Sequence, residues 1–201
     1  LLRMDEASRL EAADRFRVAC RSGSGEPPHG GINESIDGSA IPLPMAEGPP
    51  SDLARLSRKR YSPETDFVLS RIGLRQLAAL LRQTAPSGPH RNDLARGGQR
   101  PLSLVTLYGC FYGVEGLADG AYRYDPERHA LIPIRSGDMR AWLQYGMTMH
   151  NVNLFQVPLV FHVAGDSRHL ETEWGTRGYR IQQMEAGTLT QRLLLAAAAI
   201  G

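Results

Sequence analysis

Lysine is nearly missing from this chain: among the 23 basic residues only Lys59 is not an arginine. A GC-rich coding sequence would give that skew, so it carries no function by itself, but it singles out the setting of Lys59. Cysteine is scarce too. Cys20 and Cys110 lie far apart and form no metal-ligand spacing. An unpaired cysteine behaves as a small hydrophobe, so each is expected as a free, buried thiol, consistent with a reducing cytoplasm. The six histidines (His29, His90, His129, His150, His162 and His169) make no H-x-x-x-H or H-E-x-x-H pair, which argues against a protein-held metal. There is no G-x-S-x-G elbow, no G-x-G-x-x-G fingerprint and no P-loop. The most apolar run, residues 193–200, is far shorter than the ~20 residues that cross a bilayer. Residues 1–21 are charged throughout, unlike a signal peptide. A net charge of +2 supplies no strong field for nucleic acid or an anionic membrane.

What is present suits one domain with a sizeable core: 201 residues, 42 % hydrophobic and 22 % charged, are ordinary values for a globular protein. Residues 4–21 alternate charge and alanine in a helix-compatible way around a thin stripe of Leu10, Ala13, Phe16 and Val18. Residues 22–50 are rich in Gly, Pro, Ser and Glu and read as an extended or mobile linker. The division expected is therefore an N-terminal helix and linker over 1–50 and a compact domain over 51–201. The chain lacks an initiator Met and stops just after a greasy helical run, which suggests part of a longer polypeptide, with the end of the domain missing.

Within the compact part, Ser51 or Asp52 is a plausible N-cap for a short helix to about Arg60. Leu74, Leu77, Ala78 and Leu81 recur at helical spacing until Pro86 ends the pattern. Residues 86–98 form a polar, Gly-rich loop. Residues 102–108 are a β-type run, and 121–124 with 130–134 form a hairpin around Asp125-Pro126-Glu127. Residues 158–164 suit a strand covered on both faces, and residues 179–200 suit a central buried helix. Mixed helices and strands point to a layered α+β domain.

Three segments hold residues that chemistry could use. In Arg55-Leu56-Ser57-Arg58-Lys59-Arg60-Tyr61, two cations flank a hydroxyl at alternate positions, Arg55, Ser57 and Lys59. A phosphate needs such charge and short donors, though a solvated basic helix face has the same pattern. In Ala95-Arg96-Gly97-Gly98-Gln99-Arg100-Pro101, paired glycines let backbone approach a flat ligand, or simply make a turn. From Trp174 to Leu195, a helix would set Glu185 and Arg192 two turns apart on one face with Gln191 alongside, either at a site or as satisfied polar groups of a packing helix.

Taken in order, these segments resemble the SagB-type branch of the nitroreductase family, the flavin oxidases of azoline-forming peptide pathways and nonribosomal peptide synthetases. Val114-Glu115-Gly116-Leu117, followed by Gly120-Ala121-Tyr122-Arg123-Tyr124-Asp125-Pro126-Glu127-Arg128-His129-Ala130-Leu131, is similar to the family's VEGL and YDPERHAL hairpin. Residues 175–195 are similar to its EAGHLxQNLLLAA helix, with Thr188 and Arg192 where the family has His and Asn. Arg55-x-Ser57-x-Lys59 matches its Arg-x-Ser-x-Arg/Lys segment. The likeness covers about residues 51–201.

The resemblance implies a nitroreductase-like α+β fold, a sheet flanked by helices in an intertwined homodimer, with FMN as cofactor. Arg55 and Lys59 would contact the FMN phosphate with Ser57 beside it; Gly97 and Gly98 would lie along the flavin, and Gln191 would stand at the glutamine of the helix motif. Around Gly97 the family's PSAGGLYP keeps only its glycine pair and final proline. The implied reaction is oxidation of a thiazoline or oxazoline to the azole: a base removes the acidic α-proton while hydride passes to flavin. That base must be within hydrogen-bond reach of the proton, and Tyr179, His150 and Glu173 are the candidates. The implied partners are a second copy, a carrier-protein- or peptide-bound azoline and neighbouring assembly-line domains. Two other readings stay open: an NAD(P)H-dependent nitroreductase acting on free small molecules, and a degenerate scaffold or docking domain without catalysis.

Overall fold

A computed structural model describes residues 39–46, 52–62, 70–85, 104–147, 151–165 and 177–201. A five-stranded antiparallel sheet carries the fold. Its strands are β1 (Ile41–Pro42), β3 (Val105–Phe111), β5 (Gly120–Asp125), β6 (Ala130–Ser136) and β7 (Leu159–Gly165), in the order β1-β6-β5-β3-β7. Two short strands, β2 (Ile72–Gly73) and β4 (Val114–Glu115), pair in parallel beside it. Among the described residues the helices are α1 (Leu53–Lys59), α2 (Leu74–Thr84), α3 (Arg140–Gly146) and α4 (Gly178–Ile200), with a 3₁₀ turn at Leu154–Gln156. No helix among the described residues is long and apolar enough to cross a membrane.

The pleat of the sheet sorts its side chains onto two faces. Leu107 and Phe111, Tyr122 and Tyr124, and Leu131 point to one face and join Leu77, Ala78, Leu80 and Leu81 of α2 and Ala196 of α4 in the main core. Phe111 stacks on Tyr122 (5.7 Å, 14°) and meets Phe161 edge-on (5.5 Å, 65°). That aromatic group needs Gly109, which pairs with Tyr122 on one side and Phe161 on the other. A Cβ there would run into the Phe111 ring. Because Phe111 is only 1 % exposed, its ring has nowhere to go, and Gly109→Ala should cost about 1–3 kcal/mol by overpacking. A shift of the urea midpoint with unchanged slope would register it.

The opposite face is covered at one end. Cys110 and Tyr112 pack against Met139 at the start of α3, with Ala121, Leu143 and Val160 around them. Arg140 grips Asp138 through two charge-assisted bonds, Nε to Oδ1 at 2.9 Å and Nη2 to Oδ2 at 2.8 Å. It also lies over the Tyr112 ring at 4.9 Å. Burial pushes the Tyr112 hydroxyl well above its ordinary range. That hydroxyl lies near the Cys110 thiol and the Met139 amide without a well-formed hydrogen bond to either. Gln144, fully buried, ties α3 to the 3₁₀ turn by accepting from the Leu154 amide at 2.9 Å.

Much of this agrees with the sequence. Asp52 is the N-cap of α1, its carboxylate accepting from the Arg55 amide at 3.2 Å. The leucine pattern forms α2, and the hairpin folds around Asp125-Pro126-Glu127 as expected. Cys110 is a buried free thiol.

Four expectations need correcting. The third strand starts at Val105 and runs to Phe111 rather than spanning 102–108. Among the described residues strand β7 is not covered on both faces: it lies at the edge of the sheet, with Leu159, Phe161 and Val163 turned to the core and His162 and Ala164 exposed. Helix α4 is not buried all round; Tyr179, Met184 and Leu194 are exposed along it. The packed part also reaches back into the stretch read as linker, because β1 pairs with β6 and Leu43 enters the core. Residues 4–21 and the loop 86–98 lie outside the described residues.

Candidate functional site

Helix α1 is seven residues long and is held by one buried side chain, Leu56, where it packs on α4. Every other position on it is exposed. At 3.6 residues per turn, Arg55 and Lys59 fall about 40° apart around the axis, and Ser57 lies roughly 160° from both. The two cations therefore share a face and the hydroxyl does not. Arg58, three residues after Arg55, extends the same cationic face; sequence reading by alternate positions missed it, while the i, i+3 and i+4 relations contain it. Among the described residues no carboxylate pairs with Arg55, Arg58 or Lys59. Arg58 and Lys59 occupy the last turn, where cations complement the helix dipole. This is a concentration of positive charge with donors free for an anion.

Helix α4 carries two more of the sequence candidates. Tyr179 stands exposed in its first turn, and Gln191 is exposed further along. Twelve residues of helix separate them, roughly 18 Å at 1.5 Å per residue, so a single reacting atom cannot be within hydrogen-bond reach of both. Glu185 points elsewhere. Its carboxylate accepts from the Leu104 amide at 2.9 Å, and Gln182 Nε2 donates to the Leu104 carbonyl at 3.1 Å. Two side chains one turn apart thus satisfy both backbone groups at the entrance to β3. Glu185 is therefore a satisfied polar group of a packing helix, one of the two readings its sequence allowed; its partner Leu104 and the second arm from Gln182 were not anticipated. Gly97, Gly98, His150 and Glu173 lie outside the described residues. The structure thus sets Arg55, Lys59 and Ser57 on a helix that packs against the helix bearing Tyr179 and Gln191.

The hairpin that carries the strongest family likeness builds the core and turns rather than presenting reactive groups. Gly116 adopts φ +80°, a conformation other residues rarely take. Tyr122 donates its hydroxyl to the Ala118 carbonyl, Tyr122 and Tyr124 are buried, and Asp125 caps the turn by accepting from the Glu127 and Arg128 amides.

No family model matches the chain. A protein of Methanocaldococcus jannaschii bearing the name nitroreductase is 28 % identical over 105 residues, 52 % of this chain and 51 % of that protein. The chain thus spans about half the length of that relative. Two solved structures named as nitroreductases also superpose. One, from Anabaena variabilis, gives a TM-score of 0.57 at 26 % identity and covers 81 % of this chain and 33 % of that one. The other, from Ralstonia eutropha, gives 0.58 at 24 % identity and covers 88 % and 80 %. The fold is nitroreductase-like: an antiparallel sheet flanked by helices.

Proposed function

We propose that this chain is a flavin-dependent oxidoreductase domain that holds FMN by its phosphate on α1 and oxidises a thiazoline or oxazoline to the azole on a carrier- or peptide-bound intermediate. The observation that carries the reading is the pair Arg55 and Lys59: two cations on one helix face, without a carboxylate partner among the described residues, in a nitroreductase-like fold. Their chemistry fits a phosphate, which guanidinium and ammonium grip through charge-assisted hydrogen bonds. Ser57, on the far side of the helix, does not share that grip. Gln191 is the candidate for a contact further along the cofactor, and Gly97 and Gly98 remain those for its ring. Bound FMN would supply the two-electron acceptor.

The protein's part is to orient the azoline and take its α-proton, the role assigned to Tyr179, His150 or Glu173. The hydride would leave from the neighbouring ring carbon, so a double bond forms between the two carbons and the ring gives up two hydrogens in all. The exposed Tyr179, Met184 and Leu194 on α4 suit cover by a second copy, and the homodimer is part of this reading. A second reading draws on the relatives, each bearing the name nitroreductase: an NAD(P)H-dependent reductase of free small molecules. The two separate in one assay. FMN-loaded protein given an azoline thioester and no nicotinamide should yield an azole lighter by two hydrogens. Turnover only of a nitroaromatic, and only with NAD(P)H, would reject the azoline assignment. Protein that takes up no FMN would leave the scaffold reading.

A further inference from the structure

The hairpin turn between β5 and β6 contains His129, which holds φ at +46°, the left-handed region that non-glycine residues seldom enter. That conformation turns its ring back across the edge of the sheet. Nδ1 lies 2.8 Å from the Tyr124 hydroxyl, and Nε2 lies 3.3 Å from the Pro44 carbonyl oxygen. The His129 carbonyl in turn accepts from the Leu43 amide at 3.0 Å. These contacts fasten residues 41–46 beyond the two-residue strand β1, which alone gives a short ladder on β6.

We propose that His129 is a proton-operated latch: with its ring neutral it holds residues 41–46 on the edge of the sheet, and proton uptake loosens them.

The hydrogen-bond pattern is complete for one neutral tautomer, with every donor facing an acceptor. A carbonyl oxygen only accepts, so Nε2 must carry the proton facing Pro44. In a neutral ring Nδ1 is then an acceptor, and the Tyr124 hydroxyl donates to it. Tyr124 stays protonated, since burial and Asp125 push its hydroxyl up to about 12 against an opposing pull from Arg82. Protonating the ring puts a hydrogen on Nδ1, so the Tyr124 oxygen must turn to accept it and the Tyr124 O–H loses its own acceptor.

It also adds charge where charge is unwelcome. Arg82 of α2 reaches the same segment, with Nη1 3.7 Å from Met45 Sδ, and its positive charge acts on the His129 ring. Among the described residues the other charged groups nearby are Asp125, Glu127 and Arg128. Asp125 is engaged by the Glu127 and Arg128 amides and sits 4.0 Å from the Arg128 guanidinium, while the Glu127 and Arg128 side chains are exposed. No carboxylate hydrogen-bonds the ring among the described residues. Burial first, and Arg82 as well, therefore hold the imidazole below its ordinary range, against a smaller upward pull from the Pro44 carbonyl.

The sign follows. The docked segment binds fewer protons than the released one, so docking is complete above the ordinary histidine value of about 6.5 and weakens as pH falls through and below it. One proton can change the docking equilibrium by at most about tenfold per pH unit.

Hydrogen exchange at the Leu43 amide, corrected for the pH dependence of intrinsic exchange, tests the latch in the intact chain. Between about pH 7.5 and about pH 5.5, spanning the histidine range, wild-type protection of Leu43 should fall several-fold while amides of β3 stay constant. His129→Gln keeps an amide donor toward Pro44 without a titrating group, and its Leu43 protection should be flat with pH. His129→Asn accepts the left-handed turn but is too short to bridge, so its Leu43 should exchange quickly at every pH. Imidazole chemical shifts record the protonation of His129 in the same samples. Leu43 protection unchanged while His129 titrates, an identical fall in His129→Gln, or no protection at any pH would each overturn the proposal.

Discussion

Replacing Arg55 and Lys59 together by alanine should weaken FMN binding by about a hundredfold or more. Each hydrogen bond to a charged group contributes about 1.5–3 kcal/mol, and each 1.4 kcal/mol is a factor of about ten in affinity. Both side chains are exposed and meet no carboxylate partner among the described residues, so their loss strips ligand contacts without breaking an ion pair among those residues. The fold should survive, because Leu56 is what anchors α1. Ser57→Ala gives the contrast: pointing away from the cationic face, it should leave affinity nearly unchanged. Exposed charges are also screened by salt, so wild-type affinity should fall with ionic strength and that of the double variant should depend on it less. Fluorescence quenching of FMN measures all of this. A double variant that binds as well as wild type would remove α1 from the site.

The second large effect is on the fold. Leu77→Ala should destabilise the domain by about 2–5 kcal/mol, the cost of a cavity where the surroundings cannot close in. Leu77 is 0 % exposed and belongs to the cluster that joins α2 to the sheet and to Ala196 of α4. Against a typical total of about 5–15 kcal/mol that is a large share, and for a domain of this size it should lower Tm by roughly 5–15 °C. Saturating FMN should restore about 2.7 kcal/mol at a hundred times its Kd, since it binds only the folded state. A loss under about 1 kcal/mol would mean that α2 does not close the core at this point.

How far the sequence spoke depended on the strength of each local pattern. Helix α2 was legible because Leu74, Leu77, Ala78 and Leu81 repeat on one face and Pro86 follows. The hairpin was legible because its turn chemistry, Asp125-Pro126, is local. Strand β1 was hidden: two residues in a Pro- and Gly-rich stretch carry no period, and only pairing with Leu131 and Ala130 makes them a strand. For β7, an apolar run looked the same whether buried on both faces or lying at an edge; long-range pairing with β3 alone decides. The apolar C-terminal half of α4 suggested full burial, yet hydrophobicity does not say which neighbour supplies the cover.

At the site, the type and helical setting of Arg55 and Lys59 could be read directly. Grouping Ser57 with them used a two-residue period, which belongs to strands, on a segment whose Asp52 cap already marked a helix. The clamp of Gln182 and Glu185 on Leu104 joins residues some eighty positions apart, beyond the reach of any local pattern.

The central claim is that this chain binds FMN, and titrating the purified protein with FMN tests it most directly. The account predicts saturable binding of one FMN per chain, with the flavin spectrum perturbed and FMN released again on heating. A spectrum that stays that of free flavin at every protein concentration would contradict it.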